Sequence, residues 1–77
     1  MRIRAFLRTP LARGRSTGPR RFELDATVVE VVGEATARDG GLDVAVQTFV
    51  NDKGEEIASP WPRVFLPAGK LDFYVVE

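Results

Sequence analysis

The sequence predicts an all-β protein of one small domain. Its apolar stretches favour β-branched and aromatic residues that recur at every second position, and glycine, proline and aspartate separate one stretch from the next. At 77 residues, the chain is expected to bury only about 60% of the surface that its unfolded form exposes. We therefore expect a small core and marginal stability unless copies of the chain associate.

A long connection is predicted between the first two strands. The first strand is expected over residues 2–8 and the second over residues 21–32. Between them, residues 9–20 are predicted to form a long basic loop, because this segment contains residues that break regular structure: Pro10, Gly14, Gly18 and Pro19.

The second strand changes its inward face part of the way along. In its first half the inward face is expected to hold Phe22, Leu24, Ala26 and Val28. After Val28 the apolar positions shift by one residue, to Val29 and Val31. Because a shift of one residue exchanges the two faces of a strand, the pattern predicts a β-bulge or a sharp bend at this point.

Two glycine-containing turns bound the third strand. Residues 38–41 (Arg-Asp-Gly-Gly) and 51–54 (Asn-Asp-Lys-Gly) have the composition of tight turns. The third strand is expected to turn one face inward, formed by Leu42, Val44, Val46, Thr48 and Val50. On this alternation Phe49 faces the opposite way.

The remaining strands are short. A fourth strand begins at residues 55–58 and resumes at residues 63–66, after an interruption by Ser59-Pro60-Trp61-Pro62. Prolines cannot donate a hydrogen bond to a central ladder, so this segment indicates an edge strand or an irregular link. The last strand is expected over residues 71–76, with Leu71, Phe73 and Val75 inward. Phe6, Phe22, Phe65 and Phe73 are interpreted as core residues.

Residues 64–71 (Val-Phe-Leu-Pro-Ala-Gly-Lys-Leu) resemble the end of an SH3-like barrel. In such barrels a strand that ends in two apolar residues and proline enters a one-turn 3₁₀ helix, and a short final strand follows. The resemblance implies a small five-stranded barrel with the long basic loop between strands 1 and 2. The first strand has Arg4-Ala5-Phe6-Leu7 where peptide-binding SH3 domains carry an aromatic cluster, and this fold hosts many unrelated functions.

Charge is segregated along the chain. Residues 1–21 contain seven arginines and no acid, whereas residues 22–77 contain four basic and eleven acidic residues. A cluster of this density repels itself unless anionic groups lie near it. The candidate anion-binding residues are Arg13, Arg15, Arg20 and Arg21 in the loop, with Arg2, Arg4 and Arg8 beside them on the first strand.

Three roles for these arginines remain open. Guanidinium groups, together with the glycines and hydroxyls of the loop, suit the phosphates of nucleic acid, and such binding would depend on salt. Alternatively, the arginines meet the acids of this chain, of a second copy or of another protein, or they only solubilise the surface. We expect a non-enzymatic binding module that contacts nucleic acid, with a protein-interaction or regulatory subunit that self-associates as the alternative.

Three aromatic residues are further candidates for stacking or for an interface. Trp61 lies between two prolines that restrict its backbone, so it is suited either to stacking on a base or to capping an open barrel end, and we favour the cap. Phe49 and Tyr74 are each expected opposite the inward face of their strand. Either forms an exposed aromatic platform or a contact between subunits.

The composition argues against several other functions. Cysteine and histidine are absent, and the carboxylate groups of residues 39–43 and 52–56 match no calcium-loop spacing. We therefore expect no metal, no cofactor and no enzyme activity. The apolar runs are far shorter than a membrane span, so no membrane association is expected. The arginine-rich, acid-free first segment also has the composition of an organellar transit peptide. Residues 2–7 have the pattern of a strand and not of an amphipathic helix, so we expect a bacterial, cytoplasmic protein.

Overall fold

The computed structural model describes the backbone of residues 1–77 and every side chain except those of Arg15 and Phe22. Its elements, in chain order, are β1 (Arg2–Gly18), β2 (Arg21–Arg38), β3 (Gly41–Asn51), β4 (Glu56–Ile57), β5 (Arg63–Pro67), a 3₁₀ turn (Ala68–Lys70) and β6 (Leu71–Val76). The prediction of an all-β fold is confirmed. The 3₁₀ turn implied by the resemblance is also present, directly after Pro67.

All six strands belong to one antiparallel sheet, where five had been expected. The strand order is β4-β3-β2-β1-β6, and β5 pairs with the first part of β3, residues 41–45. The sheet therefore ends at β6 on one side and at β4 and β5 on the other. No backbone ladder over residues 1–77 joins β6 to β5, so the sheet is open here. The described chain holds no helix with the length and apolarity of a membrane span.

The segment expected to form a long loop is strand. Residues 9–18 continue β1, their pairing with β2 resumes at Leu11, and a two-residue turn, Pro19-Arg20, joins the two strands. The structure-breaking residues lie where the ladder is irregular. Pro10 falls in the register shift between Phe6 and Leu11, and Gly14 begins the pairing after another shift. Bulges accommodate residues that a regular ladder excludes, and this is why the loop prediction was wrong.

Residues 11–18 and 21–27 form what we call the β1–β2 ribbon. The pairing of β6 with β1 stops at Leu7, and the pairing of β3 with β2 stops at Val28. Within the described backbone, the ribbon thus has no further strand on either side. It is a two-stranded extension from one end of the sheet.

The bulge predicted after Val28 is confirmed, whereas Leu24, expected on the inward face before it, is 62% exposed because it lies on the two-stranded ribbon. In the β2–β3 ladder Val28 lies opposite Asn51 and Glu30 lies opposite Val50, so Val29 is an extra residue. Val28 and Val31 are both fully buried on either side of this bulge. Both predicted glycine turns are confirmed as well, because Gly40 and Gly54 each have φ of 81°.

A second bulge decides which residues of β3 reach the core. Val32 lies opposite Thr48 and Gly33 opposite Val46, so Gln47 is the extra residue and the two halves of β3 turn different positions inward. Phe49, expected on the opposite face, is fully buried as a result. The buried apolar residues are Ile3, Ala5, Val28, Val31, Val32, Ala35, Leu42, Val44, Phe49, Val50 and Leu66.

Two phenylalanines expected in the core are on the surface. Phe65 is 50% exposed and Phe73 is 54% exposed. Phe73 stacks on Phe6, with 4.7 Å between the ring centroids, because the register of β1 and β6 places these two residues opposite each other. The side chain of Phe22 lies outside the described side chains.

Gly33→Ala tests the second bulge. A Cβ atom at Gly33 would overlap the carbonyl group of Ala45 on the neighbouring strand, so we expect the free energy of unfolding to fall by about 1–3 kcal/mol. Urea denaturation measures the change. The control is Gly69→Ala, whose added Cβ meets no atom within 4 Å. Equal midpoints for the two variants would contradict the close approach.

Candidate functional site

The antiparallel pairing of β1 with β2 brings the basic segment against acids of the same chain. In this ladder Arg2 lies opposite Glu34 and Arg15 opposite Glu23. The Arg4 Nη1 atom donates a hydrogen bond to Oε2 of Glu30, at 2.8 Å. Part of the charge that is segregated along the sequence is therefore neutralised between neighbouring strands.

The Arg4–Glu30 ion pair lies on the outer face of the sheet. The hydrogen bond from Glu30 raises the pKa of the Arg4 guanidinium, and the nearby charges of Glu77 and Glu56 act in the same direction. About one third of the Arg4 side chain is exposed (36%), so solvent screens the pair and its contribution to stability is small. Arg4 therefore already has an anionic partner within the chain.

Arg13 holds the β1–β2 ribbon against the rest of the protein. Its Nε atom donates to Oδ1 of Asp25 across the ribbon, at 2.9 Å, and its Nη1 atom donates to the backbone oxygen of Ala58, at 2.7 Å. Beneath this link lies an open cleft of about 320 Å³, lined by Arg13, Gly14, Asp25, Ala58, Ser59 and Pro60. With both of these donors engaged, Arg13 acts first as a latch.

The other arginines are directed to solvent. Arg2, Arg8, Arg20 and Arg21 are exposed, and no carboxylate among the described side chains lies within 4.0 Å of their guanidinium groups. Of the seven candidate arginines, the structure thus places Arg20 and Arg21 together at the ribbon end, Arg8 near the bulge of β1, and Arg2 at the far end of that strand. The side chain of Arg15 lies outside the described side chains.

The turn at the ribbon end has an unusual backbone. Arg20 has φ of 60°, the only positive φ of a non-glycine residue over residues 1–77. Pro19 precedes it, and a proline followed by a residue of positive φ is the pattern of a type II turn, which favours glycine or asparagine at the second position. An arginine in this conformation carries a strain that glycine would not.

Trp61 packs on the core. Its ring meets Phe49 edge to face, with 6.3 Å between the centroids and an angle of 61° between the planes. Ser59 fixes the segment, because its Oγ atom accepts from the Trp61 backbone N–H at 3.0 Å and donates to the Trp61 carbonyl at 2.6 Å. These contacts suit the capping interpretation. Phe49 is buried beneath Trp61 and takes no part in an exposed platform.

Tyr74 lies on an apolar edge of the sheet that is exposed, together with three neighbours on the same strand. On β6, Phe73, Tyr74, Val75 and Val76 are between 40% and 60% exposed. The signal was present in the sequence, since these four consecutive apolar residues place apolar side chains on both faces of one strand. Apolar side chains on both faces are typical of a strand that is covered on both faces. In β6 these side chains are exposed instead, and β6 pairs only with β1.

Comparison of the chain with protein-family models, with curated proteins and with solved structures found no match.

Arg13→Met tests the latch. Loss of the bonds to Asp25 and Ala58 should raise the hydrogen-exchange rates of the ribbon amides, while the free energy of unfolding falls by only about 1 kcal/mol, because the ion pair is partly exposed. Exchange measured by NMR reports both quantities. Arg8→Met is the matched control, since it removes the same charge from an exposed position. If both variants left ribbon exchange unchanged, Arg13 would not hold the ribbon.

Trp61→Ala tests the cap. Because Trp61 is partly buried against Phe49, we expect the free energy of unfolding to fall by about 2 kcal/mol, with a smaller loss in Trp61→Phe, which retains an aromatic ring. Thermal denaturation shows which of the two variants is less stable. A Trp61→Ala protein as stable as the wild type would show that the indole contributes nothing to the fold.

Proposed function

We propose that this chain is a non-enzymatic binding module whose β1–β2 ribbon contacts the phosphates of nucleic acid. Arg20 and Arg21 at the ribbon end make the principal contacts, and Arg8 and Arg2 make flanking ones. Arg15 belongs to the same ribbon. Arg4 and Arg13, which also belong to the basic segment, keep their structural partners.

The shape of the ribbon supports duplex nucleic acid as the partner. The major groove of B-form DNA admits either an α-helix or a two-stranded β-ribbon. The β1–β2 ribbon has no further strand beside it, and its turn carries two adjacent exposed arginines. Guanidinium groups at the end of a ribbon reach phosphates on the walls of a groove.

The strain at Arg20 is the observation that carries the proposal. A turn that only has to reverse the chain is best served by glycine at this position, yet the residue is an arginine with φ of 60°. Residues held in unfavourable backbone conformations concentrate at functional sites. In this conformation one tight turn presents two consecutive arginines, both of them exposed. Binding of an anion at this turn would account for an arginine at the strained position.

The charge distribution supports contact at the ribbon and weak binding overall. The ribbon holds four arginines (residues 13, 15, 20 and 21) and two acids, Glu23 and Asp25, whereas the rest of the chain holds seven basic and nine acidic residues. A polyanion is therefore attracted to the ribbon and repelled elsewhere. Because the proposed contacts are to phosphates, we expect little sequence specificity.

We further infer that the chain is a variant of the SH3-like barrel. In support, the final strand follows a 3₁₀ turn and pairs with the first strand, and β1, β2, β3 and β5 are neighbours in that order. In this interpretation the β1–β2 ribbon takes the place of the long first loop. The open side between β5 and β6 is where a barrel would close.

A second candidate function is that of a protein-interaction subunit. The exposed apolar side chains of β6 favour it, because exposed apolar patches mark contacts with other proteins. The two functions use different parts of the molecule, so one does not exclude the other.

Fluorescence anisotropy with labelled duplex DNA, single-stranded DNA and single-stranded RNA, over a series of salt concentrations, tests the nucleic-acid proposal. We expect duplex binding that weakens with salt. Arg20→Ala/Arg21→Ala should reduce the slope of log affinity against log salt by about 2, since each phosphate contact contributes about one unit. The matched control is Arg38→Ala/Lys53→Ala, which removes two charges from the other turns.

Arg20→Gly separates binding from folding. Glycine relieves the positive φ, so the variant should be at least as stable as the wild type while its slope falls by about 1. Absence of duplex binding at low ionic strength, or equal losses in the ribbon and control double variants, would reject the proposal. Preference for a single strand would keep the phosphate contacts but reject the groove.

A further inference from the structure

We propose that a second copy of this chain pairs with β6, so that two β6 strands lie antiparallel across a two-fold axis and the sheets of both copies join into one. This dimer does not rest on the proposed nucleic-acid contact. The occupant is inferred from the backbone of the edge, its side chains, its register and its charge.

The free edge of β6 offers unpaired backbone groups. The Glu77 N–H donates to the carbonyl oxygen of Arg2 at 2.8 Å, and Val76 lies opposite Ile3 in the ladder. In an antiparallel ladder, successive residues bond alternately toward and away from the neighbouring strand. The N–H and C=O groups of Tyr74 and Val76 therefore point away from β1, toward the free edge.

Residues 73–76 of this edge lack the usual protection against pairing, which β6 has only at Asp72, a charged residue in a bulge. Proteins block edge strands with prolines, with charged residues or with bulges. Residues 73–76 contain neither proline nor charge, and their pairing with β1 is regular. Val75 and Phe73 lie on one face and Tyr74 and Val76 on the other, so a paired strand would cover apolar side chains on both faces.

The bulge of β6 selects one register. With the two-fold axis at Val75, each Tyr74 lies opposite Val76 of the second copy, and these are the residues whose backbone groups point outward. Asp72 then falls outside the paired segment, and Glu77, which bonds to Arg2 of its own chain, lies opposite Phe73 of the second copy. A slip of the axis to Tyr74 keeps the same number of apolar pairs but draws Asp72, the extra residue of a bulge in β6, into the paired segment, and a slip of the axis to Val76 leaves fewer apolar pairs.

The charge balance of the chain favours a copy of itself as the occupant. Eleven basic and eleven acidic residues give a formal net charge of zero, so two copies approach without long-range repulsion. The paired segment carries no charge that would select an acidic or a basic partner. The interface is short, and interfaces below about 1,200 Å² of total area are typical of weak complexes. We therefore expect a reversible dimer that depends on concentration.

The proposed dimer leaves the β1–β2 ribbon free. β6 pairs with residues 3–7 of β1, whereas the ribbon begins at residue 11. Each dimer would thus present two ribbons, and two weak phosphate contacts on one assembly bind more tightly than either alone.

Sedimentation equilibrium over a concentration series tests the dimer. We expect the mass to rise from one chain to two in the wild type. Val75→Glu places a carboxylate beside Arg4 of its own chain, which the fold tolerates, but brings two carboxylates together at the two-fold axis. Like charges facing each other cost several kcal/mol, so the dissociation constant should rise at least about tenfold. Leu24→Glu, which makes the same change at an exposed position on the ribbon, should dimerise as the wild type does.

Hydrogen exchange of the wild type, followed by NMR at low and high concentration, gives a test that needs no variant. The Tyr74 and Val76 amides should become protected as concentration rises, while the ribbon amides do not change. A strict monomer at all concentrations would overturn the proposal, as would a dimer that Val75→Glu leaves intact. Protection of the ribbon amides alone would place the contact there and overturn it equally.

Discussion

The antiparallel pairing of β1 with β2 is the constraint on which the rest of this structure depends. It aligns the basic first segment of the chain with the acids that follow it, so that Arg4 meets Glu30 and Arg13 meets Asp25. The ladder thereby offsets part of the self-repulsion expected of seven arginines in 21 residues. It also forms the centre of the sheet, since β6 pairs with β1 and β3 pairs with β2.

Bulges give this small sheet its curvature and its core. Between Phe6 and Leu11, β1 has three more residues than the facing part of β2. In the β2–β3 ladder, Val29 on β2 and Gln47 on β3 are single extra residues. Each shift changes the side chains that point inward. As a result Phe49 occupies the core beneath Trp61, while Phe65 and Phe73 remain at the surface. Close packing at Gly33 follows from the same geometry, because two backbones meet there with no space for a side chain.

The molecule separates a polar end from an apolar edge. At the ribbon end, Arg20 and Arg21 are the cations that the β1–β2 pairing leaves exposed, and Arg13 fixes the ribbon that carries them. At β6, unpaired backbone groups and apolar side chains lie together on one edge of the sheet. The proposed phosphate contact at the ribbon end and the proposed strand contact at β6 depend on different forces, so we expect salt to affect the first and protein concentration the second.

The sequence by itself determined the all-β class, both glycine turns and the bulge after Val28, because each depends on local alternation or on the backbone freedom of a few neighbouring residues. The 3₁₀ turn after Pro67 followed instead from the resemblance of residues 64–71 to the end of an SH3-like barrel. The sequence also marked Trp61 as a residue with a special position. Only the tertiary structure decided that residues 9–18 are strand and that Phe49 is buried, since both depend on the residues that lie opposite in the ladder. For the same reason, the structure alone distinguished latched Arg13 from exposed Arg20. Local sequence records periodicity, whereas cross-strand register is set by contacts between residues far apart in the chain.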